Sequence, residues 1–241
     1  MRRGRFVMQK TRGCLSHAVS SAVFPIAFHR MLHGIRYELL LGSLLCVFVL
    51  NMLFPSNIYG GIAQFLYLPF QLLAALALFE TNRILLRVFL CCAAGLMFCR
   101  VAGFLLPFEF EPGLTGLYFA FFAGVTGELF RQLWRMSNAG REAVYAGLSG
   151  FLLLGYCSYF LFLGIEFHTP GSFSGLGRNE NIMNDLFYFS YITILTVGYG
   201  DIVPVSWVAR NATILAALAG NMYSLVVISS IVSRAGSSSR R

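Results

Sequence analysis

Thr196-Val197-Gly198-Tyr199-Gly200-Asp201 decides the fold, lying between the apolar, aromatic run from Leu186 to Leu195 and a second apolar segment that begins near Arg210. A dehydrated cation is stable only where oxygens replace its water on every side. A short extended strand can line up its carbonyls, and four such strands around an axis enclose successive oxygen cages. Turning those carbonyls inward takes the backbone outside the usual dihedral regions, which Gly198 and Gly200 permit. Val197 and Tyr199 are then expected to point away from the axis and pack against the preceding helix, and the Thr196 hydroxyl to add an oxygen at the inner end. A lone Gly-Tyr-Gly run is more often a surface turn. Here the apolar segments on both sides favour a pore.

Together with Pro204 in Gly-Asp-Ile-Val-Pro, the stretch resembles the filter signature of the tetrameric potassium channel superfamily. The resemblance is specific over residues 185–234. It implies a homotetramer, because one chain carries one filter strand and the cage needs four. It further implies K+ held at Thr196, Val197, Gly198 and Tyr199 within a filter of residues 196–200, with the permeant ions as ligand, no other cofactor and no catalytic residues. Where many relatives carry a threonine before the filter threonine this chain has Leu195, and where some carry a carboxylate behind the filter it has Ile192, so tuning of the filter by protonation is not expected. Asp201 is the expected acidic ring at the outer mouth.

Composition agrees with a membrane protein. Of the 241 residues 57% are hydrophobic and 12% charged, far below the roughly 25% charged of soluble domains. The formal net charge is +8, and arginine supplies every basic residue but Lys10. These arginines cluster beside the ends of apolar segments, the pattern of a membrane protein and not of a nucleic-acid surface. Cys46, Cys91, Cys92, Cys99 and Cys157 fall inside apolar segments, so no structural disulfide is expected.

The fold class expected is an all-α membrane protein of six transmembrane helices plus a re-entrant pore helix, with a two-helix pore domain preceded by a four-helix domain. Residues 1–37 read as a basic cytoplasmic arm with an interfacial helix over 18–32, a partner for anionic membrane lipid. Cys14, His17, His29 and His33 in this arm superficially echo a zinc finger but lack its hairpin signals. Residues 38–136 form the four-helix, voltage-sensor-like domain. Residues 137–234 form the pore domain, with an outer helix over 143–167, a pore helix over 184–195 capped by Asn184 or Asp185, and an inner helix over 211–233. Residues 235–241 are a cytoplasmic tail. Positive residues on one side and acidic ones on the other place both termini in the cytoplasm of a plasma membrane or bacterial inner membrane.

Tyr188, Phe189 and Tyr191 are expected to form an aromatic cuff around the filter, Tyr188 being a candidate partner for Asp201. In the inner helix Gly220 is expected to act as a hinge, with close packing as the rival reason for a mid-helix glycine. Asn221 and Ser224 would line the cavity, and Ile228 and Val232 would form its gate. A voltage sensor needs several arginines at every third position, since one charge moved through 100 mV yields only about 2.3 kcal/mol. The fourth span has none from Leu114 to Gly127, with Arg131 and Arg135 beside Glu128 at its end, so voltage gating is expected to be weak or absent. Arg100 in the third span is expected to snorkel. The expected function is passive, potassium-selective conduction; the alternative is a non-conducting or modulatory subunit that needs hetero-assembly.

Overall fold

A computed structural model describes residues 36–46, 48–49, 94–95, 111–136, 140–177 and 182–238, with the side chains of 111–114, 228 and 231–238 outside the description. The interfacial helix over 18–32, the second and third spans with Arg100, and the Cys14, His17, His29 and His33 group lie outside the described residues. The chain divides into a unit of Met1–Arg36 and a unit of Tyr37–Arg241.

Among the described residues, four long helices carry the second unit. Helix α1, Glu111–Arg135, starts on Glu-Pro, where the proline's missing N–H costs nothing, and ends on Arg135 against the negative pole of the helix. Helix α2, Arg141–His168, follows directly, with Glu142 in its first turn and His168 in its last. Its 28 residues and a mean hydropathy of 1.8 in its most apolar window make it, among the described residues, the helix able to cross a membrane. Helix α3 is Ile182–Ile194 and helix α4 is Trp207–Ser238. The extra residues at the start of α4, relative to the 211 expected, have a local cause: Ser206 Oγ accepts a hydrogen bond from the Ala209 N–H at 3.2 Å, an N-cap that sets the helix off early.

One feature of the fold is not helical. Strand β1, Phe173–Ser174, pairs antiparallel with strand β2, Val203–Pro204, tying the loop before α3 to the loop after the filter. Val205 N–H and Ser206 N–H extend the tie, both donating to Ser172 O at 2.8 and 3.2 Å.

Helix α2 is the hub, in contact with α1, α3 and α4. Against α1 it stacks aromatic rings, Tyr118 on Phe160 and Phe122 on Tyr156, with centroids 5.1 and 4.9 Å apart. Small residues, Ala143, Ala146, Gly147 and Gly150, are buried on it at helical spacing, and Gly147 and Gly150 meet Tyr223 of α4. Ser149 and Ser158, also buried, donate to the carbonyls of Tyr145 and Leu154 one turn back, so neither needs an outside partner.

Two seats on α2 share one construction. Tyr191 of α3 lies over Gly155 and donates its hydroxyl to Leu152 O at 2.8 Å. Tyr223 of α4 lies over Gly150 and donates to Gly147 O, also at 2.8 Å. In each the accepting carbonyl belongs to the residue three before the glycine, and a side chain at the glycine would occupy the ring's place. A Cβ on Gly155 would stand 2.2 Å from Tyr191 Cε1, and one on Gly150 only 2.8 Å from Tyr223 Cζ. Both glycines are therefore recesses in the hub helix.

A helical segment at 37–46 packs on α1 through a polar chain. Tyr37, almost fully buried, donates its hydroxyl to Gln132 Oε1 at 2.9 Å; Gln132 Nε2 in turn donates to Glu128 Oε1 at 2.8 Å. Arg131 completes it with an ion pair to Glu128 at 2.8 Å. Glu128, beside which the sequence places Arg131 and Arg135, is thus buried and paired with Arg131.

Candidate functional site

Helix α3 aims its carboxyl end at the candidate filter. It ends in a reciprocal pair of hydrogen bonds: Thr196 N–H donates to Thr193 O at 3.1 Å and Val197 N–H to Ile192 O at 2.9 Å. This is the Schellman arrangement, which requires its C′ residue to be left-handed. That residue is Thr196, with φ +58°, and among the described residues no other side-chain-bearing residue has positive φ. A β-branched residue in this region is strained, and such strain persists only where surrounding structure enforces it. The first filter residue is thus also the helix cap.

Left-handed residues then recur at every second position. Gly198 has φ +57° and Gly200 φ +81°, whereas Val197 and Tyr199 have negative φ. In an ordinary strand successive carbonyls face opposite ways. Alternating the hand of the backbone rotates every second peptide plane and brings the carbonyls toward one side. Thr196, Val197, Gly198, Tyr199 and Gly200 therefore form one continuous, exposed ribbon beginning at the α3 terminus. The negative pole of α3 at this end favours a cation near the inner end of the ribbon.

Val197 and Tyr199 do not pack as the sequence suggests. They are 46% and 73% exposed within one chain, so burying them takes surface from outside it. The aromatic cuff also resolves differently. Phe189 packs with Phe162 and Phe173 in an outer cluster, with centroids 5.3 and 5.4 Å away, and Tyr191 turns to its seat on α2. Tyr188 alone stays at the level of the filter mouth, close enough to Asp201 and Tyr199 to interact electrostatically.

Two carboxylates hold the loop above the candidate filter. Glu166, 7% exposed at the end of α2, accepts the Gly171 and Phe173 N–H groups at 2.7 and 3.1 Å. Asp185, inside the first turn of α3 and not at its cap, accepts the Gly177 N–H at 2.7 Å. Gly175, with φ +89°, passes so close to Asp201 that an added Cβ would lie 2.0 Å from the Asp201 carbonyl oxygen. The loop fixed by Glu166 and Asp185 thus rests on the backbone that follows the filter. Glu166→Ala leaves two N–H groups without their acceptor, at an expected cost of about 1–3 kcal/mol. Thermal unfolding of the purified protein reads this as a lowered midpoint, with a smaller loss in Glu166→Gln; an unchanged midpoint in the alanine variant contradicts the role.

The remaining site residues lie on α4. Gly220 is buried against the end of α3, where a Cβ would meet Ile194 Cγ2 at 2.6 Å and Ile194 O at 3.2 Å. This close approach is sufficient reason for a glycine, and the helix runs through it unbroken. Asn221 is exposed and Ser224 half-buried within one chain; the side chains of Ile228 and Val232 lie outside what the structure describes. Among the described residues no group of histidine, cysteine and carboxylate side chains is placed to hold a metal ion.

The comparisons with known proteins fall on these elements. An ion channel family matches residues 148–236, from the third turn of α2 to two residues short of the end of α4. The voltage-gated potassium channel Kch of Escherichia coli (strain K12) is 31% identical over 194 residues, which cover 73% of this chain and 44% of Kch. Two-pore potassium channel 4 of Arabidopsis thaliana is 35% identical over 83 residues, 34% of this chain and 26% of that one. The chain is thus similar to an ion channel family over residues 148–236 and to relatives named potassium channels. Protein LctB of Geobacillus stearothermophilus shares 34% identity with this chain over 86 residues, 34% of this chain and 63% of its own length. The chain thus spans less than half the length of Kch and under two thirds of LctB. No solved structure matches it.

The matched segment contains the Gly155 seat on α2, helix α3, the left-handed ribbon and all of α4 but its last residues, and it begins one residue after Gly147, the acceptor of the Tyr223 hydroxyl.

Proposed function

We propose that the chain forms a homotetrameric, potassium-selective pore through which ions pass passively. The observation that carries this is the alternation of left-handed residues at Thr196, Gly198 and Gly200, on a ribbon that leaves Val197 and Tyr199 exposed. One chain supplies a quarter of each oxygen cage, and K+ is held by Thr196, Val197, Gly198 and Tyr199 of four chains. Asp201 forms the acidic outer mouth. Asn221 and Ser224 line the cavity below, and Ile228 and Val232 close it, with Gly220 as the hinge if the helix bends there.

The tetramer also accounts for the surface of α4. Ile214, Leu215, Leu218, Met222 and Leu225 are 53–72% exposed in one chain. A face this apolar is covered either by lipid or by neighbouring copies, and the bare Tyr199 beside it favours copies. The chain crosses the membrane six times with both termini in the cytoplasm. Helix α1 packs directly on α2 of its own chain, so the fourth span sits beside its own pore unit.

Gating by voltage is weak or absent. In α1 the basic residues are Arg131 and Arg135, at its last turns, and Arg131 is neutralised by buried Glu128. Current through the reconstituted protein is therefore expected to change less than about e-fold over 25 mV, the slope of a single gating charge crossing the whole field. A steeper dependence contradicts this reading of α1. Conduction itself is tested by potassium flux into vesicles holding the purified chain; protein that assembles and carries no flux would point to the modulatory-subunit alternative.

A further inference from the structure

The backbone that follows the candidate filter is overlaid by a strap of the same chain, residues 171–177. Phe173 pairs with Pro204 and Ser174 with Val203. Three anchors fix the strap. Glu166 accepts the Gly171 and Phe173 N–H groups, the buried Phe173 ring packs on Phe162 and Phe189, and Asp185 accepts the Gly177 N–H. Gly175 lies between the last two anchors and faces the Asp201 backbone. A Cβ there would stand 2.0 Å from the Asp201 carbonyl oxygen, 3.1 Å from its carbonyl carbon and 3.2 Å from Ile202 Cα. All three are main-chain atoms, so no side-chain rotation relieves the contact.

The ribbon is held differently at its two ends. At the inner end the Thr196 N–H donates to Thr193 O, and the Val197 and Gly198 N–H groups donate to Ile192 O. Among the described residues no backbone hydrogen bond fixes Tyr199, Gly200 or Asp201. Just beyond them Ile202 is buried in the same outer core as Phe173. The outer end of the ribbon is therefore an exposed stretch between two fixed points. On the α3 side Asp201 meets Tyr188; on the side of the strap Gly175 bounds its main chain.

We propose that Gly175 is a positioning residue for ion selection: by letting the Asp201 carbonyl lie against the strap, it sets where the outermost carbonyls of the filter stand. This rests on the reading of residues 196–200 as a potassium filter. Asp201 is two residues from Tyr199, the outermost residue proposed to hold K+. With a methyl group at position 175 one of the two backbones must retreat. The strap is anchored on both sides of Gly175 and Ile202 is packed, whereas residues 199–201 are exposed, so the displacement passes into the ribbon. Displaced oxygens hold a dehydrated K+ less well, whether discrimination comes from the size of the cage or from the field of its carbonyls.

The test is the K+/Na+ flux ratio of whole-chain variants reconstituted in vesicles, with size-exclusion chromatography for assembly and thermal unfolding for stability. Gly175→Ala is expected to assemble and to lose about tenfold in the ratio, equivalent to about 1.4 kcal/mol. Gly171→Ala is the control. Gly171 has a similar φ of +82°, but no atom lies within 4 Å of its Cβ position, so alanine there carries the backbone strain without the contact. Its unfolding midpoint is expected to fall like that of Gly175→Ala, and its flux ratio to stay at the parent value. Asp185→Ala adds no atom and releases the strap at Gly177, so it is expected to lower the ratio by a smaller factor. Should Gly175→Ala not assemble, Asp185→Ala decides, and a ratio equal to the parent's overturns the proposal. An unchanged ratio in assembled Gly175→Ala, or an equal fall in Gly171→Ala, overturns the positioning role and leaves the filter reading standing. A parent protein without preference for K+ sinks both.

Discussion

Replacing Gly198 by alanine is expected to abolish selective potassium flux while leaving the protein folded and assembled. Within the chain no atom lies within 4 Å of where a Cβ would sit at Gly198, so the substitution meets no steric obstacle there. What it meets is the backbone, since Gly198 has φ +57° and a side chain in this region costs roughly 1–2 kcal/mol. In the proposed tetramer four chains multiply that to about 4–8 kcal/mol at a single ring. Relaxing to negative φ removes the cost, but it rotates a peptide plane and takes a carbonyl out of each cage. The residue is exposed, so the core is untouched and stability should hold. Vesicle flux of K+ against Na+, with size-exclusion chromatography as the control for assembly, checks it. Retained K+ selectivity in the alanine variant would contradict the account of the ribbon.

The second large effect is structural. Gly155→Val is expected to prevent the pore domain from folding stably. Its Cβ would lie 2.2 Å from Tyr191 Cε1 and 2.3 Å from Cζ, so the ring must leave its seat. With it go the hydrogen bond to Leu152 O and the contacts of Tyr191 with Phe48 and Phe187, at centroid separations of 4.8 and 5.0 Å. Overpacking costs about 1–3 kcal/mol, each aromatic pair about 0.5–1.5 and the hydrogen bond about 1. The sum, about 3–7 kcal/mol, is comparable with the whole stability of an ordinary domain. Tyr191→Phe removes only the hydrogen bond and is expected to cost about 0.5–1.5 kcal/mol. The double variant Gly155→Val with Tyr191→Ala, in which the ring is gone, should regain part of the loss. Denaturation midpoints of the three variants decide it. A Gly155→Val protein as stable as the parent would show that Tyr191 does not depend on the recess.

These two glycines mark how far the sequence can be read. Gly198 is legible because its neighbours form a run in which each residue has a separate task, and the positive φ follows from the need to align carbonyls. Gly155 is not, because a glycine in an apolar helix has many uses and the tyrosine that fills its place lies 36 positions away. Thr196 shows the same limit from the other direction. Its hydroxyl draws attention in the sequence, but its place as a left-handed cap on α3 is set by the bonds to Ile192 and Thr193, which no local preference of threonine foretells. Glu166 and Asp185 are not legible as anchors of the loop, because a carboxylate near a glycine-rich loop looks the same whether it faces water or backbone N–H groups. The early start of α4 has a visible signal in Ser206, which hydrophobicity alone does not register because it measures the span and not its cap. The order of outer helix, pore helix, filter and inner helix is legible, because it follows from segment length and polarity.

The most direct test of the account is the ion selectivity of purified protein reconstituted in vesicles, measured as flux of K+ and of Na+ under equal gradients. The filter ribbon predicts K+ flux far in excess of Na+ flux, abolished in Gly198→Ala. Equal passage of the two ions by the assembled parent protein would contradict it.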